Sequence, residues 1–352
     1  MGLSTRMHDL AMIRRIICGV AVFALLPVLA GCGRGHAILE AAEKGDTKTV
    51  ERLLKKDPGL VNARRFGPGW SPLQLAAGRG HAEIVALLLE AGAPMEDGAI
   101  RDAAVGGHIK IIEMFLAKGV DINGPPDLME GAVTGGSTAM VRWLLAHGAS
   151  VQRKPGRMGP LDNAAARGHK AVAEILLAHG AHADAKDEDG RTPLLYAAFE
   201  GSTEIAELLI QHGAKVNDAT AKGVTPLMRA ADSHSVGTVK LLLERGADVN
   251  ARDNDQDTAL IYAMKRRLSG TAEEQAEIQR LGGQSAKKNG EEVWVLVLKR
   301  RRAAVVELLL AHGADVNARN KDQETVSTLA MKKDCLSCED VLQLLVQRSR
   351  AQ

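Results

Sequence analysis

A glycine recurs through this chain at nearly constant spacing, each time after a leucine-rich stretch and a polar pair. Its positions lie 27, 29, 32, 33, 33 and 67 residues apart: Gly92, Gly119, Gly148, Gly180, Gly213, Gly246 and Gly313. Self-similarity at a fixed period of about 20–50 residues is typical of small modules stacked in a row. Because such stacks bind along an open surface rather than around an enclosed substrate, the spacing disfavours an enzyme.

Two stretches show the module most clearly. Thr192-Pro193-Leu194 and Thr225-Pro226-Leu227 each open a helix, with threonine as the cap and proline in the first turn. Gly201 is placed to end the first helix of its module, and Gly213 to end the second. A polar turn then leads to the next module, so each module should be two helices and a short hairpin finger.

These recurring motifs resemble those of the ankyrin repeat over roughly residues 36–350. The resemblance implies an all-α ankyrin-repeat solenoid of about nine helix-turn-helix units, starting near residues 36, 71, 99, 127, 160, 191, 224, 257 and 324. The units at 99 and 127 lack the Thr-Pro-Leu phrase, so local irregularity is expected there. His234 stands where other units have an interhelical glycine. Because histidine is uncommon at positive φ, that loop is expected to bend differently.

The interval of 67 residues contains one period and a surplus between Lys265 and Arg302. We expect a helical insertion at about residues 266–302, inside the penultimate unit, with one long helix from Glu291 to Leu310.

The N-terminus is a separate object. Arg14 and Arg15 precede an apolar run over 16–30, too short for a spanning helix but typical of a secretory signal. Leu29-Ala30-Gly31-Cys32 resembles the bacterial lipobox, which implies cleavage before Cys32 and a lipid on its sulfur.

The predicted organisation is a signal peptide at 1–31, a tether at 32–35 and the ankyrin domain at 36–352. Gly33 after the cysteine favours the outer membrane, on the periplasmic side. The alternative is an ordinary signal peptide with a coincidental cysteine.

The net charge of the chain does not indicate nucleic-acid binding. The whole chain has a formal net charge of +2. Loss of the leader removes Arg6, Arg14 and Arg15 against Asp9, so the mature chain is near neutral.

Cys335 and Cys338 remain as a pair in the terminal unit. In an oxidising compartment we expect a disulfide that staples this unit. A redox-active thiol switch, a zinc site and unpaired thiols are the alternatives.

Histidines recur at the ends of second helices, but neighbouring helices pack about 8–10 Å apart, too far to share one zinc. No metal and no cofactor is therefore expected at these four residues: His147, His179, His212 and His312.

Basic residues flank the insertion: Lys265, Arg266, Arg267, Lys299, Arg300, Arg301 and Arg302. They are interpreted as a solvated collar or, alternatively, as a contact for anionic lipid.

The partner-binding surface is predicted from position. Residues at the ends of first helices and on the fingers face the open side, and the fold does not fix their identity. The candidates are Trp70, Arg79, Arg167, Phe199, Glu200, Asp232, Lys265 and Arg266. Exposed aromatics are enriched at interface hot spots, although Trp70 and Phe199 are also suited to packing between fingers.

No phosphate loop, nucleophile elbow or paired histidine motif appears, so no catalytic residue is assigned. The acidic residues are expected to lie on fingers in solvent, without pKa tuning. The sequence thus predicts a monomeric scaffold that is tethered to the cell envelope and binds an envelope protein.

Overall fold

The computed structural model describes residues 35–64, 69–153, 157–265, 279–280, 287–288, 291–331 and 338–349. The predicted leader and residues 32–34 of the predicted tether, with Cys32, lie outside these residues, as do Arg266 and Cys335. The chain divides into two compact bodies, Met1–Ala149 and Ser150–Gln352.

The N-terminal body contains four helix pairs. In chain order these are α1 (35–44) and α2 (Thr47–Lys56), α3 (Pro72–Arg79) and α4 (Ala82–Glu90), α5 (Asp97–Val105) and α6 (Ile109–Ala117), α7 (Leu128–Thr134) and α8 (Thr138–Ala146). A 3-10 turn at Pro58–Asn62 follows the first pair.

The C-terminal body contains five further pairs. They are α9 (Pro160–Ala166) and α10 (Lys170–Ala178), α11 (Pro193–Glu200) and α12 (Thr203–Gln211), α13 (Pro226–Asp232) and α14 (Val236–Glu244), α15 (Ala259–Lys265) and α16 (Val293–Ala311), α17 (Val326–Ala330) and α18 (Glu339–Ser349). Two short strands, β1 (Lys287–Lys288) and β2 (Glu291–Glu292), pair antiparallel just before α16. Nine pairs among the described residues confirm the predicted fold class and repeat number.

Local capping explains where the first helices begin. The hydroxyl of Ser71 accepts a hydrogen bond from the backbone N–H of Gln74 at 3.1 Å, and Thr192 and Thr225 cap their helices in the same way. Each cap satisfies a backbone donor that the helix leaves unpaired, and proline follows it where no donor is needed. Gly201 ends α11 with φ of 73°, as predicted.

Small residues allow the repeats to pack closely. In the C-terminal body, first helices contact the first helices of neighbouring repeats, and Ala197, Ala198, Ala230 and Ala231 are fully buried there. In the N-terminal body, Gly135 leaves no room for a side chain, because a Cβ atom would collide with the carbonyl oxygen of Val105.

Backbone hydrogen bonds join successive fingers of the C-terminal body. The amide of Ala221 donates to the carbonyl oxygen of Asp189 at 2.8 Å. The amide of Asn254 donates to Lys222 at 2.9 Å, in the same manner. Because each finger pairs with the next, the fingers hold one another in register.

The expectation that the His234 loop would bend differently is wrong. His234 adopts φ of 53°, the left-handed conformation that Gly168 and Gly201 adopt at equivalent positions. Its ring is fully buried, and Nε2 donates to the carbonyl oxygen of Ala263 in the next repeat at 3.0 Å. Packing and this hydrogen bond stabilise a backbone conformation that histidine alone disfavours.

The long helix predicted near the insertion is present as α16, which runs from Val293 to Ala311 and begins about ten residues before a normal second helix. The first part of the predicted insertion lies largely outside the described residues. Among those that are described, no helix combines the length and apolarity needed to cross a membrane.

Candidate functional site

The predicted binding residues fall in both bodies. Trp70 and Arg79 belong to the N-terminal body, and five others belong to the C-terminal body: Arg167, Phe199, Glu200, Asp232 and Lys265. Arg266 lies outside the described residues.

Trp70 is the most exposed aromatic candidate. Its side chain is 53% exposed on the finger before α3. Such exposure does not match the alternative of packing between fingers. Arg79, at the end of α3, pairs with Glu43 of the preceding repeat at 3.0 Å across an exposed surface. The two residues border a shallow hollow of about 630 Å³ that His36 and His81 also line.

A cluster of linked side chains runs along the first helices of the C-terminal body. The guanidinium of Arg229 lies 5.8 Å from the centroid of the Phe199 ring, within the range of a cation–π contact. The same guanidinium lies 3.8 Å from a carboxylate oxygen of Asp232. Phe199 and Asp232 are half-buried, so the cluster presents an aromatic face and both charges at the surface. We call Phe199, Arg229 and Asp232 the inner-helix cluster.

Two tyrosines one helical turn before the predicted positions were missed from the sequence. The hydroxyl of Tyr196 donates to Asp187 at 3.1 Å, and that of Tyr262 donates to Asp253 at 2.7 Å. Burial raises the pKa of both phenols, and the Asp253 carboxylate raises that of Tyr262 further. Each tyrosine thus ties a first helix to its own finger. Arg229 occupies the matching position in α13 and could have been found by counting three residues back from Asp232.

Lys265 and Arg167 make local contacts. Lys265 forms an ion pair with the buried carboxylate of Asp257 at the base of its own finger. Arg167 is exposed, and its Nε donates to the Asn163 side chain at 2.7 Å. Glu200, at the end of α11, is half-buried.

A groove of about 430 Å³ opens between two fingers of the C-terminal body. Arg157 and Met158 line one side, Asp187 and Arg191 line the other, and Tyr196 also contributes. Met158 is 40% exposed, so the groove combines an apolar lip with charges of both signs.

The expectation that acidic residues lie in solvent is wrong for Asp162. Its side chain is buried at the start of α9 and pairs with Arg153 at 2.5 Å. Burial raises the pKa of Asp162 to about 6, and the attraction of Arg153 only partly opposes this effect.

The prediction that the basic residues around the insertion form a solvated collar is wrong for Arg302. Arg302 is only 3% exposed, and its Nη1 donates to the sulfur of Cys338 at 3.8 Å. Helical spacing places Arg302 with the fully buried Val305, Val306 and Leu309, a pattern that the sequence already contained. Cys338 is disulfide-bonded, and Cys335, its predicted partner, lies outside the described residues.

The histidines at the ends of second helices make local hydrogen bonds. In each, Nδ1 donates to the carbonyl oxygen four residues earlier at 2.8–2.9 Å, as His147 does to Trp143 and His212 to Leu208. The described part of the chain contains no group of three or more side chains suited to hold a metal.

Family comparisons match most of this architecture. A model described as "Ankyrin repeats (3 copies)" matches residues 38–125, 161–253 and 216–278. Models for "Ankyrin repeats (many copies)" and "Ankyrin repeat" match residues 129–177 and 295–321.

Two curated proteins with similar repeats match this chain over part of their own length. A probable E3 ubiquitin-protein ligase of rice, XBOS32, is 30% identical over 46% of this chain and 42% of its own length. Human ankyrin repeat and SOCS box protein 18 is 35% identical over 35% of this chain and 29% of its own. The chain thus spans less than half the length of these curated relatives. The crystal structure of the human ASB11 ankyrin repeat domain superposes with a TM-score of 0.53 at 25% identity, covering 70% of this chain and 99% of that one.

Proposed function

Because this chain belongs to the ankyrin-repeat family, we propose that it is a protein-binding scaffold held at the bacterial cell envelope by a lipid on Cys32. Ankyrin repeats imply protein partners in general, and the repeated fold leaves the residues on its open surface variable. The ligase activity named in XBOS32 belongs to that whole protein and is not assigned to this chain.

The inner-helix cluster is the observation that supports binding most directly. An aromatic ring, a guanidinium and a carboxylate meet on the first helices of two neighbouring repeats. Aromatic residues and arginine are enriched at protein interfaces and among the hot spots that dominate the binding energy. The cluster would receive a partner segment with an apolar anchor beside a charged group.

The lipid anchor is proposed from the sequence: Arg14 and Arg15, the apolar run over 16–30 and the motif Leu29-Ala30-Gly31-Cys32. Two or more acyl chains hold a protein firmly at a bilayer, since each buried CH₂ contributes about 0.8 kcal/mol. Tethering would raise the local concentration of the scaffold near partners in the same membrane, preferentially the outer one.

Cross-linking in intact cells tests the binding surface. We expect the wild-type protein to capture a specific envelope protein, and the double variant Phe199→Ala, Arg229→Ala to lose that capture. The matched control is Glu207→Ala, Arg245→Ala, which removes an exposed ion pair of 3.0 Å between second helices of the same body. If both double variants capture the partner as well as the wild-type protein does, the inner-helix cluster is excluded from the binding surface.

The anchor has its own test. Cys32→Ser should move the protein from the membrane fraction to the soluble fraction, and mass spectrometry of the wild-type N-terminal peptide should show the acyl chains. An unmodified Cys32 in a protein that still has residues 1–31 would contradict the anchor and leave the binding surface unaffected.

A further inference from the structure

Arg153 joins three backbone segments of the C-terminal body. Its Nη2 lies 2.5 Å from Asp162 Oδ2 and donates to the carbonyl oxygen of Ala185, on the next finger, at 3.2 Å. Its Nη1 donates to the carbonyl oxygen of Arg157, on its own finger, at 3.4 Å. One side chain therefore connects two neighbouring fingers to the start of α9.

Asp162 is the counter-charge that holds Arg153 in this position. Its Oδ2 also accepts a hydrogen bond from the amide of Gly159 at 2.7 Å, which fixes the carboxylate at the helix start. Asp162 is 1% exposed, whereas the Arg153 side chain is 14% exposed. The acid is therefore the more deeply buried member of the pair.

The carboxylate is incompletely stabilised. Among the described residues, Asp162 Oδ1 and Arg153 Nε are buried and have no hydrogen-bond partner. Both residues line a cavity of about 20 Å³, large enough for the single water molecule that would bring a proton to Asp162.

Charged groups of both fingers surround the pair, because the groove that Arg153 lines is also lined by Arg157, Lys186, Asp187, Glu188, Asp189 and Arg191. Asp187, on the neighbouring finger, disfavours ionisation of Asp162 by repulsion, and Arg153 favours it. His182, from the same neighbouring finger, lines the cavity and is itself exposed. Burial, with a smaller contribution from Asp187, outweighs Arg153 and the Gly159 hydrogen bond, so the pKa of Asp162 is raised to about 6.

We propose that Arg153 and Asp162 form a proton-operated clasp between two neighbouring fingers. When Asp162 is ionised, Arg153 is held and ties the finger at Ala185 to the finger at Arg157. When Asp162 is protonated, Arg153 loses its counter-charge and turns toward solvent, and both carbonyl contacts open. Because Arg153 also lines the groove of about 430 Å³, the proton changes the shape of that groove.

The clasp is testable on the whole protein without a partner, so its outcome is independent of the proposed binding function. The first measurement is a ¹³C NMR titration of the Asp162 carboxyl group. The second is amide hydrogen exchange at Gly159 and on the finger at residues 182–191, corrected for intrinsic exchange rates, between pH 7 and pH 5.

We expect the carboxyl group to titrate near pH 6 and exchange on the finger to accelerate about tenfold as it does, because a hydrogen bond between two ionised groups is stronger than one with a neutral partner. Asp162→Asn should exchange quickly already at pH 7. The control Asp189→Asn removes a 66% exposed charge on the same finger and should keep the wild-type pH profile.

Titration of the Asp162 carboxyl group below pH 5 would overturn the clasp. A wild-type pH profile in Asp162→Asn would do the same. If Asp162→Asn fails to fold, the titration and the exchange of the wild-type protein decide the question by themselves.

Discussion

The side-chain amide of Asn250 donates a hydrogen bond to the carbonyl oxygen of Gly313, 3.0 Å away and 63 residues later in the chain. The Asn250 Oδ1 accepts from the amide of Asp315 at 2.8 Å. Asn217 makes the same pair of bonds, to Gly246 and Asp248, across only one period. The repeats before and after the insertion therefore pack against each other in the same register as two consecutive repeats do.

This register predicts equal costs for two substitutions. Asn217→Ala and Asn250→Ala each remove two hydrogen bonds and should each lower the free energy of unfolding by about 1–3 kcal/mol. Urea unfolding of the two variants measures the costs. A cost near zero for Asn250→Ala beside a normal cost for Asn217→Ala would show that the insertion interrupts the stack.

Close packing in the N-terminal body predicts unequal costs for two glycine substitutions. Gly135→Ala should destabilise by about 3 kcal/mol, because its Cβ collides with the rigid backbone at Val105. Gly148→Ala should cost about 1 kcal/mol, because φ is 86° but nothing lies within 4 Å of the new Cβ. Thermal unfolding compares the two, and the reverse order would exclude a tight contact at Gly135.

The raised pKa of Asp162 predicts an unusual dependence of the free energy of unfolding on pH. Its pKa is about 6 in the folded protein and 3.8 by reference, so the folded state binds the proton more tightly than the unfolded state does. The contribution of this group to the free energy of unfolding is therefore complete below pH 4 and is lost as pH rises through 6.

Relative to Asp162→Asn, the wild-type protein should lose at most about 3 kcal/mol of stability between pH 4 and pH 7. Urea unfolding at several pH values measures the difference between the two proteins, in which the other titrating groups cancel. A constant difference across this range would contradict the raised pKa.

Substitution of the two aromatic candidates should weaken partner binding while it changes the stability of the fold only slightly. Trp70→Ala should leave the melting temperature within about 2 °C of wild type, because the side chain is 53% exposed. Phe199→Ala should cost about 1 kcal/mol, since Phe199 is half-buried against Arg229. Both should weaken capture of the partner. Retained capture in the double variant Trp70→Ala, Phe199→Ala, with the fold intact by circular dichroism, would remove both residues from the binding surface.

Reduction should destabilise the terminal repeat. Cys338 is disulfide-bonded, and closing a short loop to Cys335 would contribute about 2 kcal/mol. A reductant, or Cys335→Ser, should therefore lower the melting temperature of the protein, whereas Cys32→Ser should not. A mixed disulfide trapped by Cys338→Ser would indicate a redox-active pair instead.

Local signals predicted the helices, because each depends on a few neighbouring residues. Thr192-Pro193 and Gly201 lie where they begin and end a helix in any context. The left-handed backbone of His234 was missed, since a contact with Ala263 in the next repeat stabilises it.

The candidate surface was predictable only in part. Position alone identified Phe199 and Asp232, but not Arg229, whose role depends on its reach between two repeats. Asp162 looks in sequence like any acid at a helix start. Its raised pKa comes from burial beneath a neighbouring finger, which a single sequence does not contain.

The Asn250 bonds also mark a place for protein engineering. Foreign sequence spliced between Lys265 and the buried half of α16 enters where nature has already added chain without shifting the following repeat. A fluorescent domain grafted there would report on the protein in living cells while both flanking modules keep their alignment.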